Sequence, residues 1–291
     1  TAALAVEPDT GASEPEPIEL ELESNSQGKH VVRYGDIYTI ETPSDSMDQL
    51  PPGNYVVLLT PRGYVLNRVP AFSMPPKMYG NPAALAKRYL HTFRSRDRST
   101  GVFLSGQKGS GKTLTAQLTC AMSELPVIII NQPHRGDSFN LFINDIPGDA
   151  VVLFDEFEKV YTKEQQQELL TLLDGSFRSK RLFIMTSNSD DINFYLRNRP
   201  GRIFYRRSYS KLENDVVNEY IVDHLKVKEH TDELVALIDA VGGVSMDVLA
   251  SIVEEMNRFG ETAREAMGHM NIDVEPVSFG YEGALVLIPC A

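Results

Sequence analysis

The chain has 291 residues, 42% of them apolar, enough for one large domain or two modest ones with a proper core. Its formal charge of −12 is uneven: residues 1–28 hold seven acids (Glu7, Asp9, Glu14, Glu16, Glu19, Glu21 and Glu23) and no Lys or Arg. The rest is close to balanced, so global charge gives no support for duplex nucleic acid as the main partner.

Residues 1–28 are rich in Pro, Glu, Ser and Ala and poor in aromatics, a composition that predicts a disordered acidic tail. HVVRYGDIYTIE and NYVVLLT, with Pro61-Arg62-Gly63 as a hairpin signal before YVLNRV, predict a small β-rich N-terminal module over 29–80. From Pro82 the pattern becomes α/β. Helical ALAKRYLHTF is followed by strands GVFLSG, PVIIIN, AVVLFDE, RLFIMTSN and IFYRRSY, with helices KTLTAQLTCAMS, SFNLFIND and one opening at Thr162-Lys-Glu-Gln165 between them. Near-continuous apolar strands alternating with helices predict a parallel sheet with helices on both faces over 81–208. Residues 211–226, 230–241, 245–258 and 260–269 then read as helices of a C-terminal helical lid over 209–270. The final 271–291 form an extension with strand-like runs.

Cys120 and Cys290 lie far apart without metal-ligand spacing, so the expected compartment is reducing and cytoplasmic. No apolar run reaches the roughly 18–20 residues a membrane span requires, and no secretory signal is visible at the start.

Gly106-Gln-Lys-Gly-Ser-Gly111-Lys112-Thr113 fulfils G-x-x-x-x-G-K-[ST] between a predicted strand and a predicted helix, the P-loop context. Glycines let backbone N–H groups turn inward around phosphates, and the helix N-terminus adds partial positive charge. Gly106, Gln107, Lys108, Gly109, Ser110, Gly111, Lys112, Thr113 and Leu114 are therefore the candidate nucleotide contacts, Lys112 reaching the β- and γ-phosphates. Four apolar residues ending in Asp155-Glu156 place two carboxylates at a buried strand's carboxyl end. Asp155 and Thr113 are the candidate Mg²⁺ holders, and Glu156 the candidate base for an attacking water. No NKxD guanine reader is present, which favours ATP over GTP. Thr186-Ser-Asn188 offers a polar side chain to orient water, and Arg197-Asn-Arg199-Pro-Gly-Arg202 offers cations for transition-state charge.

These four pieces in this order resemble the AAA+ ATPases and, more narrowly, the classical AAA clade. The resemblance implies a P-loop NTPase fold, ATP and Mg²⁺ as cofactors, and Asn188 as the water-sensing residue. It also implies Arg199 and Arg202 as arginine fingers reaching a neighbouring subunit's ATP, hence a homo-oligomeric, hexameric ring acting on a protein substrate. Asn131, ending VIIIN, matches the family's polar switch residue that holds the catalytic Glu. Within the clade, VIIINQPHRGDSFNLFIND and SMDVLASIVEEMNRFGETAREAM resemble the mitochondrial translocase of the Rieske iron–sulfur protein and its relatives. The chain departs from that subgroup in keeping the DE pair and in lacking a membrane-spanning run. After the second strand it offers only Phe139 as an aromatic for a pore loop, and it has Gly242-Gly243-Val-Ser where many AAA+ relatives place a sensing Arg. The expected activity is ATP hydrolysis coupled to remodelling or movement of a protein. The alternatives are a DNA-transaction ATPase using the basic runs 94–98 and 199–207, or a nucleotide-switched assembly scaffold.

Overall fold

The computed structural model describes residues 30–34, 37–41, 47–174, 179–190, 203–272, 274–277 and 286–289. The expected tail and the arginines at 197, 199 and 202 lie outside the described residues. The chain divides into two units, Thr1–Asp48 and Gln49–Ala291. In the first, β1 (His30–Tyr34) and β2 (Ile37–Glu41) form an antiparallel pair.

In the second unit, β3 (Gly53–Thr60), β4 (Gly63–Val69), β5 (Thr100–Gly106), β6 (Pro126–Ile130), β7 (Ala150–Phe154), β8 (Arg181–Ser187) and β9 (Tyr205–Tyr209) make one seven-stranded sheet. Its order is β4-β3-β6-β7-β8-β5-β9, and every pairing is parallel except β3 with β4. Residues 53–69, read from sequence as part of a separate β-rich module, therefore extend the main sheet. The cause is non-local: β3 pairs with β6 over Gly53–Val56, leaving the hairpin strand β4 as the sheet edge.

Alternation along the strands feeds two cores. Val151 and Leu153 face one side with Val102, Leu104, Leu182 and Ile184, where α1 (Pro82–Ser95) and α2 (Lys112–Ser123) supply Tyr89, Phe93, Ala116 and Cys120. Val152 and Phe154 face the other side with Phe103, Phe183 and Met185. That side is covered by α3 (Asp137–Asp145), α4 (Phe157–Val160), α5 (Lys163–Glu168) and α6 (Leu170–Asp174). Strands wholly buried on both faces explain why β7 and β8 read as continuous apolar runs rather than as alternation. The capping box at the start of α5 forms in both halves, Gln165 N–H donating to the Thr162 hydroxyl and Gln165 Oε1 accepting from Thr162 N–H.

Beyond the sheet, α7 (Asn214–His224), α8 (Thr231–Ala240), α9 (Met246–Phe259) and α10 (Ala263–His269) enclose their own core around Ile221, Leu237, Leu249, Ile252 and Met256. The chain ahead of α1 is tied to this helical group: Lys77 pairs with Asp223 at 2.5 Å and Glu219 at 2.9 Å, and the Tyr79 hydroxyl donates to Asp223 at 2.8 Å. In the C-terminal extension, β10 (Val274–Val277) and β11 (Val286–Pro289) pair antiparallel. Among the described residues no helix is long and apolar enough to cross a membrane.

Arg181, at the head of β8, is wholly buried. Its Nη1 donates to the Gly148 carbonyl at 2.6 Å, and its Nη2 to the Ile143 and Ile146 carbonyls at 3.1 and 2.5 Å. Burial lowers its pKa, partly offset by Asp149. The guanidinium thus satisfies carbonyls at the end of α3 that no helix bond can reach, fixing the turn into β7. Arg181→Ala leaves those carbonyls buried and bare, at about 3 kcal/mol, which for a unit of this size lowers the melting temperature by roughly 6–12 °C. Thermal unfolding against Arg181→Lys, which keeps a donor but loses the planar fork, checks this; an unchanged midpoint for the Ala variant contradicts it.

Candidate nucleotide site

The site lies at the carboxyl ends of the parallel strands. β5 is inserted between β8 and β9, while the chain leaving it crosses to β6 on the far side of β7. That reversal of strand order opens a crevice beside the end of β5, where open α/β sheets take their ligands.

The loop from Gly106 to Gly111 turns through three left-handed glycines, Gly106, Gly109 and Gly111 (φ +131°, +73° and +89°). Two of them are also pressed by neighbours. A Cβ on Gly106 would fall 1.8 Å from the Tyr209 carbonyl oxygen of β9, and one on Gly109 would fall 2.4 Å from Asp247 Oδ2. At Gly111 it would meet open space, the side on which the cradle is free to receive a ligand. Helix α9 abuts the loop, Met246 N–H donating to the Gly109 carbonyl at 3.0 Å. Lys112 heads α2 and is almost fully buried; its Nζ donates to the carbonyls of Gly106 at 2.7 Å and Gln107 at 2.6 Å. Burial lowers its pKa, opposed by the charges of Glu158, Asp155 and Glu156.

Parallel register brings the next groups together. Phe154 lies opposite Met185, so the residues that follow, Asp155 and Thr186, are neighbours at the strand ends. Asp155 Oδ1 accepts from the Thr186 hydroxyl at 2.6 Å and from the Thr113 hydroxyl at 3.1 Å. The Thr186 hydroxyl in turn accepts from Glu156 N–H at 2.9 Å. Glu156 itself is left-handed at φ +52°, a conformation uncommon outside Gly and Asn, and this aims its side chain out of the strand direction. Its Oε1 is 2.5 Å from Lys159 Nζ, and that hydrogen bond is the main reason its pKa is lowered. Asn188 lies beside it: Nδ2 donates to Glu158 Oε1 at 2.8 Å and lies 3.5 Å from Glu156 Oε1.

The structure therefore brings Lys112, Thr113, Asp155, Glu156 and Asn188 into one crevice with the loop 106–111. Gln107 and Lys108 are exposed on the loop's outer turn, and Leu114 is half-buried in the first turn of α2. It does not bring Asn131 to Glu156: Asn131 is exposed and makes no side-chain hydrogen bond among the described residues, and Lys159 occupies Glu156 instead. Phe139, the aromatic expected of a pore loop, is wholly buried beside Tyr64 and His134. Arg199 and Arg202 lie outside the described residues. Sequence reasoning assigned no role to Thr186, Glu158, Lys159 or Asp247. The Glu156-x-x-Lys159 spacing was the one available signal among them, since residues three apart on a helical turn are neighbours.

The donor set suits Mg²⁺: Thr113 and Asp155 offer hard oxygens side by side at the head of a phosphate cradle. Among the described residues no three His, Cys, Asp or Glu side chains converge as a metal site, so most of the shell would come from phosphate and water. Residues 102–208, from β5 through β9, match the family model described as ATPase family associated with various cellular activities (AAA). That segment is an AAA-family domain, which supports the AAA+ ATPase superfamily and ATP binding. No curated protein matches the chain.

Thr186 is the hinge of the carboxylate network, so Thr186→Val, of equal shape, strips a partner from both Asp155 and Glu156 N–H. The expected cost is about 1–3 kcal/mol of stability and a fall of roughly 10-fold or more in ATP turnover, while Thr186→Ser stays near wild type. Paired melting and phosphate-release assays on both variants decide it; equal turnover in Val and Ser would contradict the assignment.

Proposed function

We propose that the chain is a Mg²⁺-dependent ATPase that works as a ring of identical subunits, six in number, and couples hydrolysis to remodelling or moving a protein. The observation that carries the chemistry is the Asp155 carboxylate shared by the hydroxyls of Thr113 and Thr186, with Glu156 and Asn188 alongside. Lys112, now held by two loop carbonyls, exchanges them for β- and γ-phosphate oxygens when ATP enters. Thr113 and Asp155 hold the Mg²⁺, which neutralises phosphate charge when bound. Glu156, released from Lys159, accepts a proton from the attacking water; the oxygen bonds to the γ-phosphorus and the bond to the ADP oxygen breaks. The Asn188 amide orients that water.

Ring assembly is supported by the Arg199/Arg202 pair, placed by the sequence spacing to serve a neighbour's site. The likeness to the Rieske-protein translocase group rests on the quoted stretches alone. With Phe139 buried, cargo is gripped by something other than an aromatic in residues 131–145. The buried free thiol of Cys120 agrees with a reducing, cytoplasmic setting. A nucleic-acid partner has less support: Arg96 stacks over the Phe204 ring, with its centre 4.3 Å from the ring centroid, and Arg94 donates to the Ser123 carbonyl at 3.4 Å.

Two variants test the reading. Glu156→Gln should bind ATP as tightly as the wild type and retain it unhydrolysed. Arg202→Ala should also bind ATP but turn it over at roughly 1% of the wild-type rate or less, and turnover per subunit in the wild type should rise with protein concentration. A rate per subunit independent of concentration down to the monomer, or an active Glu156→Gln enzyme, would refute the ring or the base respectively.

A further inference from the structure

Glu158 follows the base by two residues and belongs to the same short helix, yet it spends its side chain on a single partner. Its Oε1 accepts the Asn188 backbone N–H at 2.9 Å and the Asn188 Nδ2 at 2.8 Å. Its Oε2 is buried without a hydrogen-bond partner among the described residues. Helix α4 does not depend on these contacts. It is anchored by Phe157 in the core and by backbone bonds from Lys159 and Val160 to the Glu156 carbonyl and from Tyr161 to that of Phe157.

An asparagine carboxamide has a donor end and an acceptor end of nearly equal shape, and a carboxylate only accepts. A carboxylate opposite the group therefore decides which end faces it. We propose that Glu158 is a positioning residue that fixes the orientation of the Asn188 carboxamide, so that its amino end faces Glu156 and the attacking water. Nδ2 carries two hydrogens: one is taken by Glu158, and the other is left toward Glu156 Oε1, 3.5 Å away. The reversed amide would turn Oδ1 toward two carboxylates, an arrangement of acceptors against acceptors. Glu158 also belongs to the phosphate site electrostatically, because its charge ranks first among the carboxylates that hold up the Lys112 pKa. A desolvated oxygen with no partner of its own is a cost that a purely structural surface carboxylate would avoid by turning to water.

The inference rests on the ATPase reading above and is tested by a double-mutant cycle of Glu158→Gln with Asn188→Ala. A glutamine has the same shape but presents both a donor and an acceptor, so it tolerates either orientation of Asn188. The expected result for Glu158→Gln is a fall in kcat of about 10-fold or more, with KM for ATP, ATP affinity and melting temperature close to wild type. In the Asn188→Ala background the same change should cost less than about 2-fold, because the partner through which it acts is gone. Wild-type kcat in Glu158→Gln, losses that multiply in the double variant, or a loss of ATP binding or of stability would each overturn the assignment while leaving wild-type turnover, and the ATPase reading, intact. A wild-type protein that does not hydrolyse ATP would instead overturn the reading beneath it.

Discussion

The site is organised around one carboxylate. Asp155 ends a strand buried on both faces, and its Oδ1 is clasped between the hydroxyls of Thr186 on the adjacent strand and Thr113 on the first turn of α2. Three segments far apart in sequence meet there only because β7, β8 and β5 are consecutive in the sheet. The same parallel pairing sets the Thr186 hydroxyl under Glu156 N–H and so supports the left-handed turn that swings the base out of the strand direction. Repacking the two cores beneath these strands would shift every partner of Asp155 together.

The second constraint is space at the cradle. Gly106 is hemmed by β9 and Gly109 by the start of α9, so the loop is pressed from the sheet side and from the helical lid at once. Met246 donating to the Gly109 carbonyl makes the lid part of the loop's wall. The tether of Lys77 and Tyr79 to Asp223 joins the same helical group to the chain entering α1. Movement of the lid is therefore mechanically connected to both the phosphate loop and the segment that precedes the sheet's first covering helix.

Much of this was legible in the residues. The P-loop, the apolar run into Asp155-Glu156 and the capping box at Thr162 are local patterns whose physics is set by their own sequence, and each appears as read. What sequence reading missed depends on register or on chain direction after a turn. Thr186 matters because Phe154 lies opposite Met185, a pairing no local pattern encodes. The hairpin 53–69 reads as a free-standing β element until β6 is seen as its partner. Asn131 and Phe139 followed from a family resemblance; the first is turned to solvent and the second into the core, each decided by how α3 packs on the sheet.

The central claim is that the Asp155 cluster is assembled before nucleotide arrives and that Lys112 alone must change partners. A crystal structure with Mg²⁺ and a non-hydrolysable ATP analogue tests it directly. The account predicts Lys112 Nζ on phosphate oxygens, released from the Gly106 and Gln107 carbonyls, with Thr186 still donating to Asp155 and Mg²⁺ beside Thr113. Nucleotide seated elsewhere, or Asp155 drawn away from Thr186, would contradict it.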